Sequence, residues 1–222
     1  MSFFSTLNED GTYSINAAGL VLIVVIMAAL LIIGSAHFTK IKKLNAKQMA
    51  FSAMALTIAV LLSNVKLFKL PMGGSVTLCS MLFVTLIGAW FGLGAGLTGA
   101  IAYGFLQLII DPYIISFPQL IVDYLLAFGA LGLSGLFYKK KNGILIGYLV
   151  AVAGRFAFSV LSGVIFFGMY APEEFPNPFL YSAAYNGSYL SVEAAITVAI
   201  LLIPQTQRAI RHVGTFALGE NA

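Results

Sequence analysis

The sequence predicts an all-α integral membrane protein, a six-helix bundle preceded by one extra N-terminal transmembrane helix. Of the 222 residues, 60% are hydrophobic and only 9% are charged, and the mean hydropathy is +0.97. Soluble domains carry many more charged residues than this. The apolar residues also form runs close to the length of about 20 residues that a helix needs to cross a bilayer.

Seven apolar runs are candidates for transmembrane helices. They lie near residues 15–37, 46–64, 75–91, 93–111, 118–138, 143–170 and 186–204. The third and fourth runs are short and are separated by a glycine-rich bend. We expect three parts, which are an N-terminal part with the accessory helix and a basic linker (1–45), a membrane domain (46–205) and a C-terminal tail (206–222).

Basic residues predict the orientation of these helices. Clusters of Lys or Arg follow the first, fifth and seventh runs, at residues 40–47, 139–141 and 208–211. With seven helices all three clusters fall on one side, and short cytoplasmic loops collect Lys and Arg. We therefore expect the N-terminus outside and the C-terminus in the cytoplasm. Lys66 and Lys69 are exceptions, because they fall on the outer side.

The first run is predicted to be a retained membrane helix rather than a cleaved signal. Its leading segment contains Glu9 and Asp10, and its lysines follow the apolar run. A signal peptide has the reverse pattern, with basic residues in front. This helix is therefore expected to be an accessory to the six-helix domain.

The composition argues against an enzyme, a metal site and a nucleic-acid partner. Cys79 is the only cysteine, and His37 and His212 both lie near segment ends, so a cluster of metal ligands is not expected. The sequence contains neither a GxSxG nor a GxxxxGK[ST] motif, which are typical of serine hydrolases and of ATP-binding loops. No cofactor is expected, and ATP-driven work would require another subunit.

Asp123 is the most informative polar residue. It lies with Tyr124 near the outer end of the fifth run, where a carboxylate costs roughly 2.5 to 3.5 kcal/mol on insertion scales. Pro118 suits the first turn of this helix, which places Asp123 about 8 Å below the outer rim. Two roles are open for this carboxylate, binding a cationic ligand or hydrogen bonding to a neighbouring helix.

Other polar and aromatic residues near the outer side are suited to a pocket. Tyr113 precedes the fifth helix, and Tyr181 and Asn186 lie at the entry to the last one. Tyrosine is also common at membrane interfaces simply because its ring is amphipathic. A ligand pocket and an interfacial belt both remain possible for these residues.

Ser159, Gly163 and Phe167 recur at intervals of four on the sixth helix. Residues at this spacing share a helix face, which here carries a hydroxyl, a gap and a ring. Such a face accepts a flat heteroaromatic ligand. Ordinary helix packing explains the pattern equally well.

Small residues predict close helix contacts, which are common in membrane bundles. Gly88, Gly92, Gly96, Ala100 and Gly104 recur every four residues. Internal packing is the simpler interpretation of this ladder. Ala55 and Ala59 form a further pair on the first helix of the six-helix domain, and they are the candidate docking face for a partner membrane protein.

Several segments carry a family pattern in order through residues 46–205. They are residues 73–82, Tyr103 and Gly104 with Gln107, and residues 118–128, 155–172 and 181–189. Together they resemble the thiamine-specific S-component of energy-coupling factor (ECF) transporters. The first helix lies outside the resemblance.

The resemblance implies a six-helix subunit of the bacterial plasma membrane that captures thiamine from outside. It also implies three partners, a transmembrane coupling subunit and two cytoplasmic ATPase subunits. In the family an alanine-rich first helix is thought to meet the coupling subunit, and Ala55 and Ala59 lie on the matching helix.

The resemblance also assigns substrate-binding residues. The acid and tyrosine of the fifth-helix motif fall on Asp123 and Tyr124, and the tyrosine of the preceding loop falls on Tyr113. The late tyrosine and asparagine fall on Tyr181 and Asn186. A negatively charged Asp123 suits the thiazolium or the aminopyrimidine of thiamine.

Three further positions follow from the Ser-Gly-Val motif. Its glycine falls on Gly163, whereas Ser159 replaces a histidine that relatives often have and Phe167 replaces a tryptophan that some have. A serine cannot stack on a ligand, and phenylalanine makes a weaker cation–π contact than tryptophan. The ligand is therefore expected to be thiamine with altered affinity, or a related pyrimidine compound.

A proton-coupled secondary carrier is the alternative from another class. Asp123, Arg155 and Glu193 would then form a proton relay within the membrane. Inverted repeats, which are typical of many such carriers, are not evident in the sequence. Arg155 and Glu193 are more simply interpreted as a structural pair or as snorkelling and capping groups.

Overall fold

A computed structural model describes residues 5–7, 13–16, 18, 19, 21, 22, 25, 44–168 and 177–219. Almost all of the accessory helix predicted at 15–37 lies outside these residues, as do most of the basic linker and the loop with Glu173 and Glu174. Near the N-terminus, Ser5–Leu7 (β1) and Tyr13–Ile15 (β2) pair as antiparallel strands.

Six helices form the membrane bundle, and a seventh follows it within the described residues. They are α1 (Ala46–Asn64), α2 (Ser80–Phe91), α3 (Leu93–Ile110), α4 (Phe117–Phe137), α5 (Gly143–Phe166), α6 (Pro178–Leu202) and α7 (Pro204–Leu218). Helices α1 and α3 to α6 are long and apolar enough to cross a membrane, and α2 is a shorter apolar helix. The prediction of a six-helix membrane bundle is confirmed.

Two helix starts differ from the prediction. The third run begins as a strand, Ser75–Thr77 (β4), which is antiparallel to Lys66–Lys69 (β3), so that α2 starts only at Ser80. Helix α6 starts at Pro178, well before residue 186. The Asn177 side chain accepts a hydrogen bond from Phe179 N and Pro178 occupies the first turn, which are strong start signals for a helix.

Helix α4 changes its winding along its length. It is α-helical over Phe117–Leu120, π-helical over Ile121–Ala127 and a 3₁₀ helix over Ala130–Phe137. A π-helical turn is rare and is frequently found at functional sites. Asp123 and Tyr124 both lie in the π-helical part, so the irregular segment coincides with the acidic residue singled out by the sequence.

Glycines bring α4 against α2 and α3. A methyl group at Gly132 would overlap the backbone of Leu97, and one at Gly88 would overlap the Ser134 hydroxyl. Gly96 in turn lies against the Gly132 carbonyl. The glycine ladder therefore serves internal packing, as its simpler interpretation predicted.

Ala55 and Ala59, which the sequence predicted as a docking face, lie inside the bundle. Their exposed fractions are 3% and 0%, and both belong to the hydrophobic core of the bundle. Helix α1 turns this face towards α2, so the chain's own helices already cover both methyl groups. The opposite face of α1 is the exposed one and includes Met54, Ile58 and Leu61.

Candidate functional site

A cavity at one end of the bundle collects the predicted ligand-binding residues. It is lined by all eight of them, Tyr113, Asp123, Tyr124, Ser159, Gly163, Phe167, Tyr181 and Asn186. Short connections make successive helices antiparallel, so the ends of α3 and α5 meet the starts of α4 and α6 here. The β3–β4 hairpin adds Gly73, Gly74 and Thr77 to the lining.

The Asp123 carboxylate is held from within its own helix. Gln119 Nε2 donates to Asp123 Oδ2 at 2.6 Å and to the Tyr113 carbonyl at 3.0 Å. Gln119 Oε1 accepts from Ile115 N at 3.2 Å, so this buried amide fixes both the acid and the preceding loop. Asp123 also borders the cavity, where its carboxylate can meet a ligand.

Tyr124 uses its hydroxyl on the loop rather than on the cavity. The hydroxyl accepts from Tyr113 N at 2.7 Å and donates to the Asp111 carbonyl at 3.1 Å. The residue is buried, with an exposed fraction of 6%. The structure thus gives Tyr124 a positioning role for the loop, while its ring contributes to the cavity wall.

Aromatic rings form much of the remaining wall. The Tyr113 and Phe167 rings are stacked with centroids 6.1 Å apart and planes 28° apart. Tyr181 lies beside Tyr185, with centroids 6.3 Å apart. The Tyr185 hydroxyl donates to the Pro71 carbonyl and so holds the hairpin against α6. These rings offer flat, electron-rich surfaces to a cationic heterocycle.

Asn186 lies in a hydrogen-bond network between α5 and α6. Its Nδ2 donates to the Ser182 carbonyl at 3.0 Å and to the Ser159 carbonyl at 3.3 Å, and its Oδ1 accepts from the Tyr189 hydroxyl at 2.8 Å. Both amide hydrogens are therefore engaged. What Asn186 can still offer a ligand is the second lone pair of Oδ1.

Gly163 lets α5 and α6 approach each other closely. A methyl group there would overlap the Ser182 hydroxyl, which itself donates to the Val160 carbonyl at 2.9 Å. The gap that the sequence predicted at this position is therefore filled mainly by the neighbouring helix. Ser159 is buried beside it and still borders the cavity.

Glu193 and Arg155 also border the cavity but do not form the structural pair that the sequence suggested. Glu193 accepts hydrogen bonds from Thr77 N and Oγ1, from Ser80 Oγ and from Met81 N, at 2.6–3.2 Å. It thus caps the start of α2 from another helix. The Arg155 guanidinium lies 4.2 Å from the centroid of the Phe128 ring, and within the described segments the ion pair found is Lys66–Asp111.

Three residues of the site escaped the sequence analysis. From the sequence alone, Gln119 is an ordinary polar residue in the first turn of a helix. Lys66, an exception to the predicted orientation, lies at the cavity and pairs with Asp111. Ser162 Oγ is buried at the cavity and has no hydrogen-bond partner among the described residues. Its position just before Gly163 could have marked Ser162 as a candidate site residue, but only the fold shows that its hydroxyl is unpaired.

A metal centre has no support in the described parts of the chain. Nowhere in them do three His, Cys, Asp or Glu side chains come close enough to hold an ion. The lining of the cavity instead combines the carboxylates of Asp111, Asp123 and Glu193 and the cations of Lys66 and Arg155 with hydroxyl groups, amide groups and several aromatic rings. This set of groups suits the binding of a polar aromatic cation.

Two comparisons with known proteins agree on one family, and a third agrees on the fold. The family model "Thiamine transporter protein (Thia_YuaJ)" matches residues 49–212. The chain is 36% identical over 148 residues to the thiamine transporter ThiT of Bacillus subtilis (strain 168). This alignment covers 60% of this chain and 76% of that protein. A solved structure of ThiT from Listeria monocytogenes has a similar fold, with a TM-score of 0.59, 22% identity and coverage of 72% of this chain and 96% of that chain.

Proposed function

The chain belongs to the Thia_YuaJ family of thiamine transporters, and we propose that it captures thiamine in the cavity beside Asp123. It is a multi-pass membrane protein and a transporter subunit rather than an enzyme. The observation that carries the proposal is the half-buried Asp123 carboxylate, which borders the cavity and which Gln119 orients by a hydrogen bond to one of its oxygens. We assign substrate binding to the membrane domain, residues 46–205.

Thiamine carries a permanent positive charge on its thiazolium ring and an amino group on its pyrimidine ring. A carboxylate that is already oriented binds either group without further ordering of the side chain. The stacked rings of Tyr113 and Phe167 and the ring of Tyr181 provide aromatic walls. Ring stacking and cation–π contacts each contribute about 0.5 to 1.5 kcal/mol.

The remaining polar groups fit the periphery of such a ligand. We assign Asn186 Oδ1 and the unpaired Ser162 hydroxyl to ligand hydrogen bonds. Tyr124 is assigned to positioning of the Tyr113 loop, and Gly163 to the close contact of α5 with α6. Ser159 contributes space where a larger side chain would reach the ligand.

Calorimetry with the purified full chain tests the anchor. We expect Asp123→Asn to raise the Kd for thiamine about 10- to 100-fold, because a charge-assisted hydrogen bond contributes about 1.5 to 3 kcal/mol. Asp111→Asn is the matched control, since Asp111 also borders the cavity but is paired with Lys66. An unchanged Kd in Asp123→Asn, or an equal loss in both variants, refutes the assignment.

The same experiment separates thiamine from a related pyrimidine compound. An aminopyrimidine without the thiazolium ring is expected to bind the protein more weakly than thiamine, because it lacks the permanent charge. If the two compounds bind equally well, the protein recognises only the pyrimidine ring, and the ligand is a pyrimidine compound.

Family membership does not favour a proton-coupled carrier. The structure also removes one member of the suggested relay, because all described contacts of Glu193 are hydrogen bonds that it accepts at the start of α2. Uptake into liposomes driven by a pH gradient alone, without ATPase subunits, would reverse this conclusion.

We propose that the transport step is driven by an ECF coupling subunit and two cytoplasmic ATPase subunits. Because Ala55 and Ala59 are buried, the docking face shifts to the exposed side of α1, where Ala50, Ala53 and Thr57 form a stripe of small side chains. Such a stripe permits close approach of a second membrane helix. Ala53→Leu is expected to abolish co-purification with the coupling subunit and to leave thiamine binding intact.

We propose further that the cavity opens to the outside and that the C-terminus is cytoplasmic. The basic residues lie at the bundle end opposite the cavity. They are Lys139, Lys140 and Lys141 in the connection from α4 to α5, and Arg208 and Arg211 in α7. This distribution agrees with the cytoplasmic preference of basic residues. The N-terminus then lies outside if the accessory run crosses the membrane once.

A further inference from the structure

A groove with a strongly positive lining lies at the bundle end opposite the thiamine cavity. It is bordered by the ends of α2 and α4, the start of α5 and one side of α7. Its basic residues are Lys139, Lys140, Lys141 and Arg211, and none of its lining residues is acidic. Trp90 and Tyr138 contribute aromatic rings to the same groove. A cytoplasmic bias of basic residues explains their presence at this end but not their convergence on one groove.

Helix α7 is fixed against the bundle along one side. Gly214 and Ala217 are buried, and a methyl group at Gly214 would overlap the indole of Trp90. Trp90 Nε1 donates to the Ile210 carbonyl at 3.1 Å. The position of Arg211 at the groove is therefore set by packing and by a hydrogen bond, and does not depend on a flexible tail.

The exposed side of α7 is divided into a cationic and an apolar part. Arg208, Arg211 and His212 are exposed, and so are Val213 and Phe216. Lys47 lies 3.7 Å above the Phe216 ring, which adds a cation beside the apolar part. A helix with adjacent cationic and apolar strips is typical of the membrane interface, where it meets phosphates and acyl chains together.

We propose that this groove is a binding site for the head group of an anionic phospholipid. Lys140 and Arg211 bind the phosphate, and the acyl chains follow the apolar strip of the groove lining, which includes Phe137, Ile144 and Leu218. Lys and Arg at the cytoplasmic surface attract anionic lipids, and the guanidinium of Arg binds a phosphate through two parallel hydrogen bonds. A free phosphate would use the charges but gain nothing from the apolar strip.

Native mass spectrometry of the purified full chain, titrated with phosphatidylglycerol or phosphatidylcholine in detergent, tests the site. We expect phosphatidylglycerol to bind at least about 10-fold more tightly than phosphatidylcholine, and the variant Lys140→Gln/Arg211→Gln to lose this preference. The matched control is Lys69→Gln/Arg208→Gln, which removes the same charge from residues outside the groove. This control is expected to keep the preference.

The outcomes separate a built site from a general charge effect. Equal losses in the two double variants would show that surface charge alone attracts the lipid, which overturns the proposal. Competition by inorganic phosphate or glycerol 3-phosphate at the concentration of the lipid would also overturn it, because the apolar strip would then contribute nothing. Thiamine binding, at the opposite end of the bundle, reports that each variant is folded.

Discussion

The Gln119 amide nitrogen lies 2.6 Å from Asp123 Oδ2, one helical turn along α4. The same amide nitrogen donates to the Tyr113 carbonyl, so one buried side chain orients both the acid and the loop that carries an aromatic wall. This contact lies at the junction of the α-helical and π-helical parts of α4. The carboxylate that we propose as the ligand anchor is therefore oriented before a ligand arrives.

Replacing Gln119 is expected to weaken thiamine binding although the residue need not touch the ligand. Gln119→Met keeps the size of the side chain and removes its hydrogen bonds, and we expect the Kd to rise about 5- to 20-fold. Gln107→Met is the control, because Gln107 borders the cavity but donates to Ser63 Oγ instead. Calorimetry measures both, and equal effects would contradict the positioning role of Gln119.

Ser162→Ala tests whether the unpaired hydroxyl serves the ligand. We expect a Kd for thiamine about 3- to 10-fold higher, with the melting temperature of the free protein unchanged or slightly higher, because a buried unpaired hydroxyl is removed. Tyr148→Phe removes a second buried, unpaired hydroxyl that does not border the cavity. The Kd of Tyr148→Phe for thiamine should stay at the wild-type value. An unchanged Kd for thiamine in Ser162→Ala would show that the Ser162 hydroxyl does not contact the ligand.

Gly163→Ala is expected to destabilise the bundle. The added methyl group would overlap the Ser182 hydroxyl, and overpacking costs about 1 to 3 kcal/mol. The control Gly187→Ala has only an ordinary contact with Phe156 and should leave the melting temperature in detergent unchanged or raise it. The double variant Gly163→Ala/Ser182→Gly should recover part of the loss, and its failure to do so would place the overlap elsewhere.

Glu193→Gln is expected to destabilise the start of α2. A carboxamide has one acceptor oxygen, and its NH₂ group would face donors that bond the carboxylate in the wild type. Each charge-assisted hydrogen bond that is lost costs about 1.5 to 3 kcal/mol. Thermal unfolding in detergent measures this effect. Asp111→Asn, at an exposed ion pair, should shift the melting temperature far less. Comparable shifts in the two variants would argue against the capping role.

Phe167→Trp tests the aromatic wall by a gain of function. Tryptophan gives the strongest cation–π contact, so we expect a Kd for thiamine about 2- to 5-fold lower in this variant. The natural sequence has a single tryptophan, Trp90 at the opposite end of the bundle, and its fluorescence serves as a constant background. Quenching by thiamine in Phe167→Trp but not in the wild type reports contact, and no quenching would remove position 167 from the ligand wall.

The sequence by itself determined the membrane bundle and identified residues that line one cavity in it. The limits of α1, predicted at 46–64, agree with Ala46–Asn64 in the structure, because every backbone polar group in lipid must be satisfied within the helix and so the length of an apolar run reports the span. Asp123 and Asn186 stood out for a related reason. A polar side chain in such a run is costly and is kept for a partner.

Only the tertiary structure decided which helix faces meet. Ala55 and Ala59 are buried although their pattern also fitted a docking face, because a membrane helix is apolar on all sides and its sequence does not show which side packs against the bundle. The π-helical turn that carries Asp123 and the contact of Gln119 with that carboxylate likewise depend on neighbouring helices. Hydropathy reports how far a helix extends, whereas side-chain shape and hydrogen bonding between helices decide where its residues point.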